Sequence, residues 1–295
     1  MNYNESISST CKLLGVSRQV YYRSKWSTSK GQQTALKVVE LVNEVRRMMP
    51  RLGTRKLYYL LEKELKVLGV GRDKLFTILK ANHMLIKPVK TYHVTTNSHH
   101  RFRKHKNLIE DLDKAHPEQV WVADITYVGN RNNPMYLSLI TDAYSKKIMG
   151  YHLSTSLETQ GSIKALKMAI KNRIYPSNKL IHHSDRGLQY CSNDYQDLLS
   201  KKHISCSMTE AYDPYQNAIA ERVNGILKQE FFPKSKNIDI KTMQIIVKQS
   251  VDIYNNRRPH WSCDMLTPNQ MHRQNHVKIK SYKNKNLQEL QLLEI

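Results

Sequence analysis

The chain has 295 residues, 40% of them hydrophobic: enough for one sizeable packed core with smaller modules, and too many for a disordered protein. No apolar run approaches the ~18 residues that a membrane span needs, and MNYNESISSTCK has no apolar stretch after a basic start, so neither a span nor a secretory signal is expected. Against 25 Asp and Glu stand 47 Lys and Arg, a formal net charge of +22 that attracts polyanions, with nucleic acid the leading reading and a generally basic, ribosome-associated or membrane-surface protein the other.

The four cysteines, Cys11, Cys191, Cys206 and Cys263, are scattered and form no C-x-x-C pair. They read as reduced thiols of a cytoplasmic protein. His93, His99, His100 and His105 lie close together, but structural zinc usually takes cysteine pairs at short spacing, so it is the minor reading.

In chain order, residues 4–24 read as a helix, a turn and a second helix. Leu13 and Leu14 end the first, Gly15 makes the turn, and Ser17 caps the next, which carries Val20 and Tyr21. This resembles half of a helix-turn-helix, a pattern that many helical hairpins share. The polar stretch 27–33 reads as a linker closing an N-terminal segment, 1–33. Residues 34–86 read as a small all-α, helix-turn-helix-like DNA-binding subdomain. Its first helix presents Leu36, Val39, Val42 and Met49 on one face, and Pro50 and Gly53 break it. Thr54 caps a second helix with Leu57, Leu60, Leu61 and Leu65. The third carries Leu75, Ile78 and Leu79 inside and Arg72, Lys74 and Lys80 outside. An ordinary helical subdomain with a solvated basic face is the competing reading.

Residues 87–116 read as a basic linker. Within 87–106 stand Lys87, Lys90, Arg101, Arg103, Lys104 and Lys106 and no acid. Such a segment suits a phosphate backbone, or is a spacer without contacts. From Val120 the pattern changes to strands: VWVADITYV, MYLSLITDAY and KIMGYHL, then a helix over 157–170, the strand KLIHHSD, the helix DYQDLLSKK, the strand ISCSM, and helices over 216–231 and 239–255. Three strands, helix, strand, helix, strand, helix is the order of a ribonuclease-H-like α/β layer. The predicted core spans 117–275, followed by a tail, 276–295.

Three acids stand out. Asp124 interrupts an apolar strand, with Val122 and Thr126 on its face and Trp121 and Ala123 on the other. A buried carboxylate is costly unless paired or holding a metal; a strand-end salt bridge is the alternative. Asp185 ends the strand KLIHHS before Arg186 and Gly187, where open α/β sheets place ligands, although D-R-G also makes a turn. Glu221 lies on the helix NAIAERVNGILKQE, about 200° from Ile219 of the apolar stripe (Ile219, Val223, Ile226, Leu227), on a face shared with Asn224 and Lys228. Alone it reads as a surface acid. Together, three hard oxygen donors from two strands and a helix suit a two-metal phosphoryl-transfer site.

The stretches VWVADITYV, HHSDRGLQYCS, PYQNAIAERVNGILKQEFF and YNNRRPHWSCDMLTP, in that order, resemble the DDE transposase and retroviral-integrase superfamily, and within it the second-reading-frame transposase of the insertion-sequence family numbered three. The resemblance covers roughly residues 34–272. It departs at Cys263, where Leu is usual and a small thiol can fill a core position, and at Gln216, where Asp is common. It implies an integrase catalytic core with a mixed five-stranded sheet and helices on both faces. It implies Mg-dependent DNA strand cleavage and strand transfer on two divalent ions, with Mn able to substitute. Asp124, Asp185 and Glu221 would be the catalytic and metal-binding residues. His183, Asn217, Asn224 and Lys228 would be DNA-positioning residues, His183 being equally readable as a satisfied sheet histidine. Arg257, Arg258 and His260 would bind phosphate or pin the last helix to the core. The implied partners are element ends and target DNA, further copies of the chain on DNA, and an upstream-reading-frame protein or fusion. The implied location is the bacterial cytoplasm, on the nucleoid. A non-catalytic DNA-binding regulator and a ribonuclease-H-type or junction nuclease are the competing functions.

Overall fold

The computed structural model describes residues 6–87, 105–110, 112–130, 133–209, 217–233 and 238–280. The chain divides into two compact units, Met1–Lys87 and Pro88–Ile295.

The first unit is all helical: α1 Ile7–Leu13, α2 Arg18–Met48, α3 Thr54–Leu60, α4 Glu62–Val67 and α5 Arg72–Ala81. Ser6 caps α1, and Ser17 caps α2 by accepting from Val20 N. Between them Gly15, at φ +65°, closes α1, with Gly15 N–H donating to Lys12 and Val16 N–H to Cys11. The stretch 27–33 is not a linker: α2 runs through it without interruption. Its Ser, Thr and Gly weaken a helix, but no proline removes a donor, and Thr34 Oγ1 bonds back to Lys30 O. The buried face of α2 also differs from the expected one. Val38, Val42 and Met49 are buried, whereas Leu36 is 65% exposed. Gly53, rather than Thr54, is the N-cap of α3, and the expected second helix bends at Leu61 into α3 and α4. Leu75, Ile78 and Leu79 of α5 are buried as expected. Arg46 fastens the end of α2 by donating to Leu52 O and Met84 O.

The second unit carries a five-stranded sheet: β1 Val120–Asn130, β2 Asn133–Asp142, β3 Ile148–Ser154, β4 Leu180–Ser184 and β5 Ile204–Met208, in the order β3-β2-β1-β4-β5. The β1–β2 and β2–β3 pairs are antiparallel; the β1–β4 and β4–β5 pairs are parallel. Helices cover both faces. On one lie α6 Thr159–Lys171, α7 Leu188–Cys191 and α8 Asn193–Lys201. Leu166, Tyr195 and Leu199 pack there against Trp121, Ala123, Ile140 and Met149. Gly150 lets α6 come this close, since a Cβ there would meet Ala165 O at 2.1 Å. On the other face lie α9 Ala218–Ile226, which continues as a π turn over Leu227–Phe231, and α10 Ile240–Arg257. Val223, Leu227, Val247 and Tyr254 pack there against Leu137, Leu139 and Leu153.

The end of the expected basic linker is part of this core. Leu108 N donates to Ser207 Oγ, and Ile109 is buried beside Val120 and Val122. The expected tail also begins packed: Tyr144 donates to Val277 O, and Lys280 N to Ser262 O. After a 3-10 turn over Trp261–Cys263 comes α11 Pro268–His272, closed by a Thr267/Gln270 capping box. Cys263 is fully buried with Tyr144 and Met271, a role that a small thiol can fill. His272 lies between Glu118 and Asp142, and Glu118 also binds Arg173.

Candidate active site

Register brings the first two acids together. The parallel β1–β4 ladder ends with Ala123 opposite Ser184. Asp124 and Asp185 are the next residues on each side, so both stand where the parallel β1–β4 pairing stops, Asp124 within β1, which runs on to Asn130, and Asp185 just past the end of β4, where open α/β sheets place ligands. Asp185 Oδ1 accepts from Gly187 N at 3.0 Å, so it closes the turn into α7 and lines the cleft as well.

The third acid comes from α9. Asn217, at its N-cap, donates to Ala123 O at 3.0 Å; Asn224 Nδ2 donates to Asp124 Oδ2 at 2.7 Å; Lys228 Nζ donates to Thr126 Oγ1 at 3.2 Å. Positions 217, 221, 224 and 228 form one helical stripe, so Glu221 lies on the row that is strapped to β1. The face opposite the apolar stripe is therefore engaged with the sheet, and Asn224 is buried. The π turn carries Lys228 and widens the helix where it leaves the site.

The three carboxyls interact. Burial pushes the Asp124 carboxyl up to about 7; the Asp185 charge adds to this, the Asn224 hydrogen bond opposes it, and the Glu221 charge adds a little more. Glu221 is also raised, by burial and then by Asp185. Burial lowers Lys228, with Asp124 acting against the shift. Among the described residues no three His, Cys, Asp or Glu side chains are gathered closely enough to hold a metal ion as they stand. The donor set nonetheless fits a hard divalent cation: oxygen-only ligands, held by a sheet and a strapped helix, whose mutual repulsion a cation would relieve.

That repulsion has a measurable consequence. Between pH 4 and 7 the folded state keeps a proton on Asp124 that the unfolded chain has released, so this group's contribution to stability falls as pH rises through about 7. Without divalent ions, Asp124→Asn should raise unfolding free energy by about 2 kcal/mol at pH 8 and by much less at pH 4.5. Urea unfolding at the two pH values checks this; an equal effect at both would remove Asp124 as the source.

The other expected site residues divide. His183 is fully buried with Nδ1 against Ser207 Oγ at 2.8 Å, the arrangement of a sheet histidine rather than a DNA contact. Of its two expected roles Arg258 takes the pinning one, not the phosphate contact. It is 1% exposed and bidentate on Glu230, with a third nitrogen against His260, so it pins the chain after α10 to the end of the π turn. Arg257 and Lys106 are exposed. Arg101, Arg103, Lys104 and Gln216 lie outside the described residues. Sequence reasoning missed Glu230, whose only local signal is an acid nine residues after Glu221 on the same helix.

A mixed sheet with two acids where adjacent parallel strands stop pairing and a third on the covering helix defines a ribonuclease-H-like integrase core. The integrase core domain family matches residues 114–214, and a second integrase core family matches 202–268. The chain is 32% identical to an insertion element IS600 31 kDa protein of Shigella sonnei over 265 residues, 88% of this chain and 95% of that one. It is 29% identical to transposase InsF of insertion sequence IS3A from Escherichia coli K12, over 92% of this chain and 95% of that one. The HTLV-2 integrase catalytic core, solved in complex with magnesium, aligns at 19% identity over 53% of this chain and 97% of that one, with a TM-score of 0.43. The chain belongs to the DDE transposases of the IS3 family. It is a polynucleotidyl transferase of DNA transposition, and its family uses divalent metal.

Proposed function

We propose that Asp124, Asp185 and Glu221 form one metal site for cutting an insertion sequence from its flanking DNA and joining it to a target, with two Mg2+ ions in use and Mn2+ able to replace them. The observation that supports this most is the ladder ending at Ala123 and Ser184, which sets Asp124 beside Asp185 under α9. When bound, the ions supply Lewis acidity at the scissile phosphodiester and offset the charge that builds on its oxygens. The protein's own part is to hold the acids in place. Asn224 donates to one oxygen of Asp124, which favours the ionised carboxylate and orients it. Asn217 and Lys228 fix α9 on β1, and with it the height of Glu221.

In cleavage, a water oxygen attacks phosphorus as the bond to the 3′ oxygen breaks, leaving a 3′-hydroxyl. In strand transfer that hydroxyl attacks a target phosphodiester. One P–O bond forms as another breaks, so no external energy source is needed. Arg101, Arg103, Lys104, Lys106 and Arg257 serve as phosphate contacts that position DNA without reading it. Because such contacts carry little sequence information, end recognition falls to the product of an upstream reading frame, joined to this chain or bound to it, and the chain works as a homo-oligomer on DNA.

The test incubates the chain, alone and fused to the upstream-frame product, with labelled element ends and Mg2+ or Mn2+. Strand-transfer products are expected, with at least tenfold more preference for ends over scrambled DNA in the fusion. Intact DNA binding with no cleavage by either protein would overturn the catalytic reading. A hundredfold preference by the chain alone would overturn the need for a partner.

A further inference from the structure

The cleft beside the two aspartates has a composition that metal binding does not account for. It is open to solvent and holds about 90 Å3 of accessible space. Besides Asp124 and Asp185 its lining includes Ile125, Tyr127, Tyr136, Leu157, Leu188 and Tyr190. Tyr127 and Tyr136 are cross-strand partners on β1 and β2, their rings edge to face at 6.1 Å. Leu157 and Leu188 are 39% and 42% exposed, two large apolar side chains left at the mouth of the cleft. The segments that carry them are joined, since Gln189 Nε2 of α7 donates to Leu157 O at 2.7 Å.

Among the described residues no lysine or arginine lines the cleft. Its two charged members among the described residues are acids, which repel anions. Aromatic and aliphatic walls ending in a phosphoryl-transfer centre suit a flat group with an apolar face, attached to the phosphate at that centre. A DNA base that has left its stack is such a group. We propose that this cleft receives one unstacked base of the nucleotide next to the cut phosphodiester, and that Tyr127, Tyr136 and Leu188 offset the cost of unpairing it. This rests on the reading of Asp124 and Asp185 as the reaction centre.

The experiment uses the full chain, element-end duplexes with 2-aminopurine at each terminal position in turn, and two variants. Leu188→Trp fills the cleft from an exposed position and should leave the fold intact; Tyr136→Ala removes a wall. With Ca2+ in place of Mg2+, 2-aminopurine at one position should brighten several-fold on the wild type and stay dim on Leu188→Trp. With Mg2+, each variant should cleave the paired end about tenfold more slowly than the wild type. On an end that is abasic at that position, each should match the wild type within about twofold, because no base then needs capture. Equal loss on paired and abasic ends, or no brightening at any position while the wild type still cleaves, would overturn the base pocket alone. No cleavage of any DNA by the wild type would instead overturn the metal-site reading, and the pocket with it.

Discussion

Asp124→Asn, Asp185→Asn and Glu221→Gln should each lower strand cleavage at least about a thousandfold with Mg2+, and leave DNA binding within about threefold of the wild type. The three substitutions keep size and hydrogen-bonding capacity while removing a hard anionic ligand. None deletes an apolar contact, so the fold should survive. Asp124→Asn should even gain stability at neutral pH, because the buried charge that Asp185 and Glu221 push against is gone. A folding defect would therefore not explain its lost activity. Single-turnover cleavage beside far-ultraviolet circular dichroism and filter binding would measure all three quantities. A variant that keeps full activity would remove its residue from the site.

Arg258→Ala should cost about 3–5 kcal/mol of stability in urea unfolding. The guanidinium is fully buried, and two of its nitrogens bind the two oxygens of Glu230 at 2.8 and 2.6 Å. Truncation would leave Glu230, which is 19% exposed, without that partner. The double variant Glu230→Gln with Arg258→Met removes both charges and should recover at least half of the loss. Because Glu230 lies in the π turn that extends α9, the single variant should also reduce cleavage more than it reduces DNA binding. An exposed phosphate-binding arginine would behave oppositely: no stability loss, weaker DNA binding and a shallower salt dependence. That outcome would restore the phosphate-contact reading of Arg258.

Much of the site was legible because the two periods that make it are local. An acid at an even step in VWVADITYV stands on the face of Val122 and Thr126 whichever sheet the strand joins. Residues 217, 221, 224 and 228 share one row on any α-helix, and an acid between a strand end and a glycine turn is exposed at that turn whatever packs beside it. The four motif stretches then identify the family, since their order and spacing narrow what each alone leaves open.

Local pattern fails where neighbours decide. Leu36 and Val38 are equally apolar, yet only Val38 is buried, because the phase of a helix face depends on what it meets. The stretch 27–33 has the composition of a loop, but nothing in it forbids the helical hydrogen bonds that α2 carries through it. His183 and Arg258 look like contacts for an anion until their partners Ser207 and Glu230, 24 and 28 positions away, are seen beside them. The alternation along β1 and the stripe on α9 determine which side chains can face the site. The register that sets Asp124 beside Asp185, and the row of α9 that meets β1, come from pairing and packing between distant segments, where the free energy belongs to the contact and to neither segment alone.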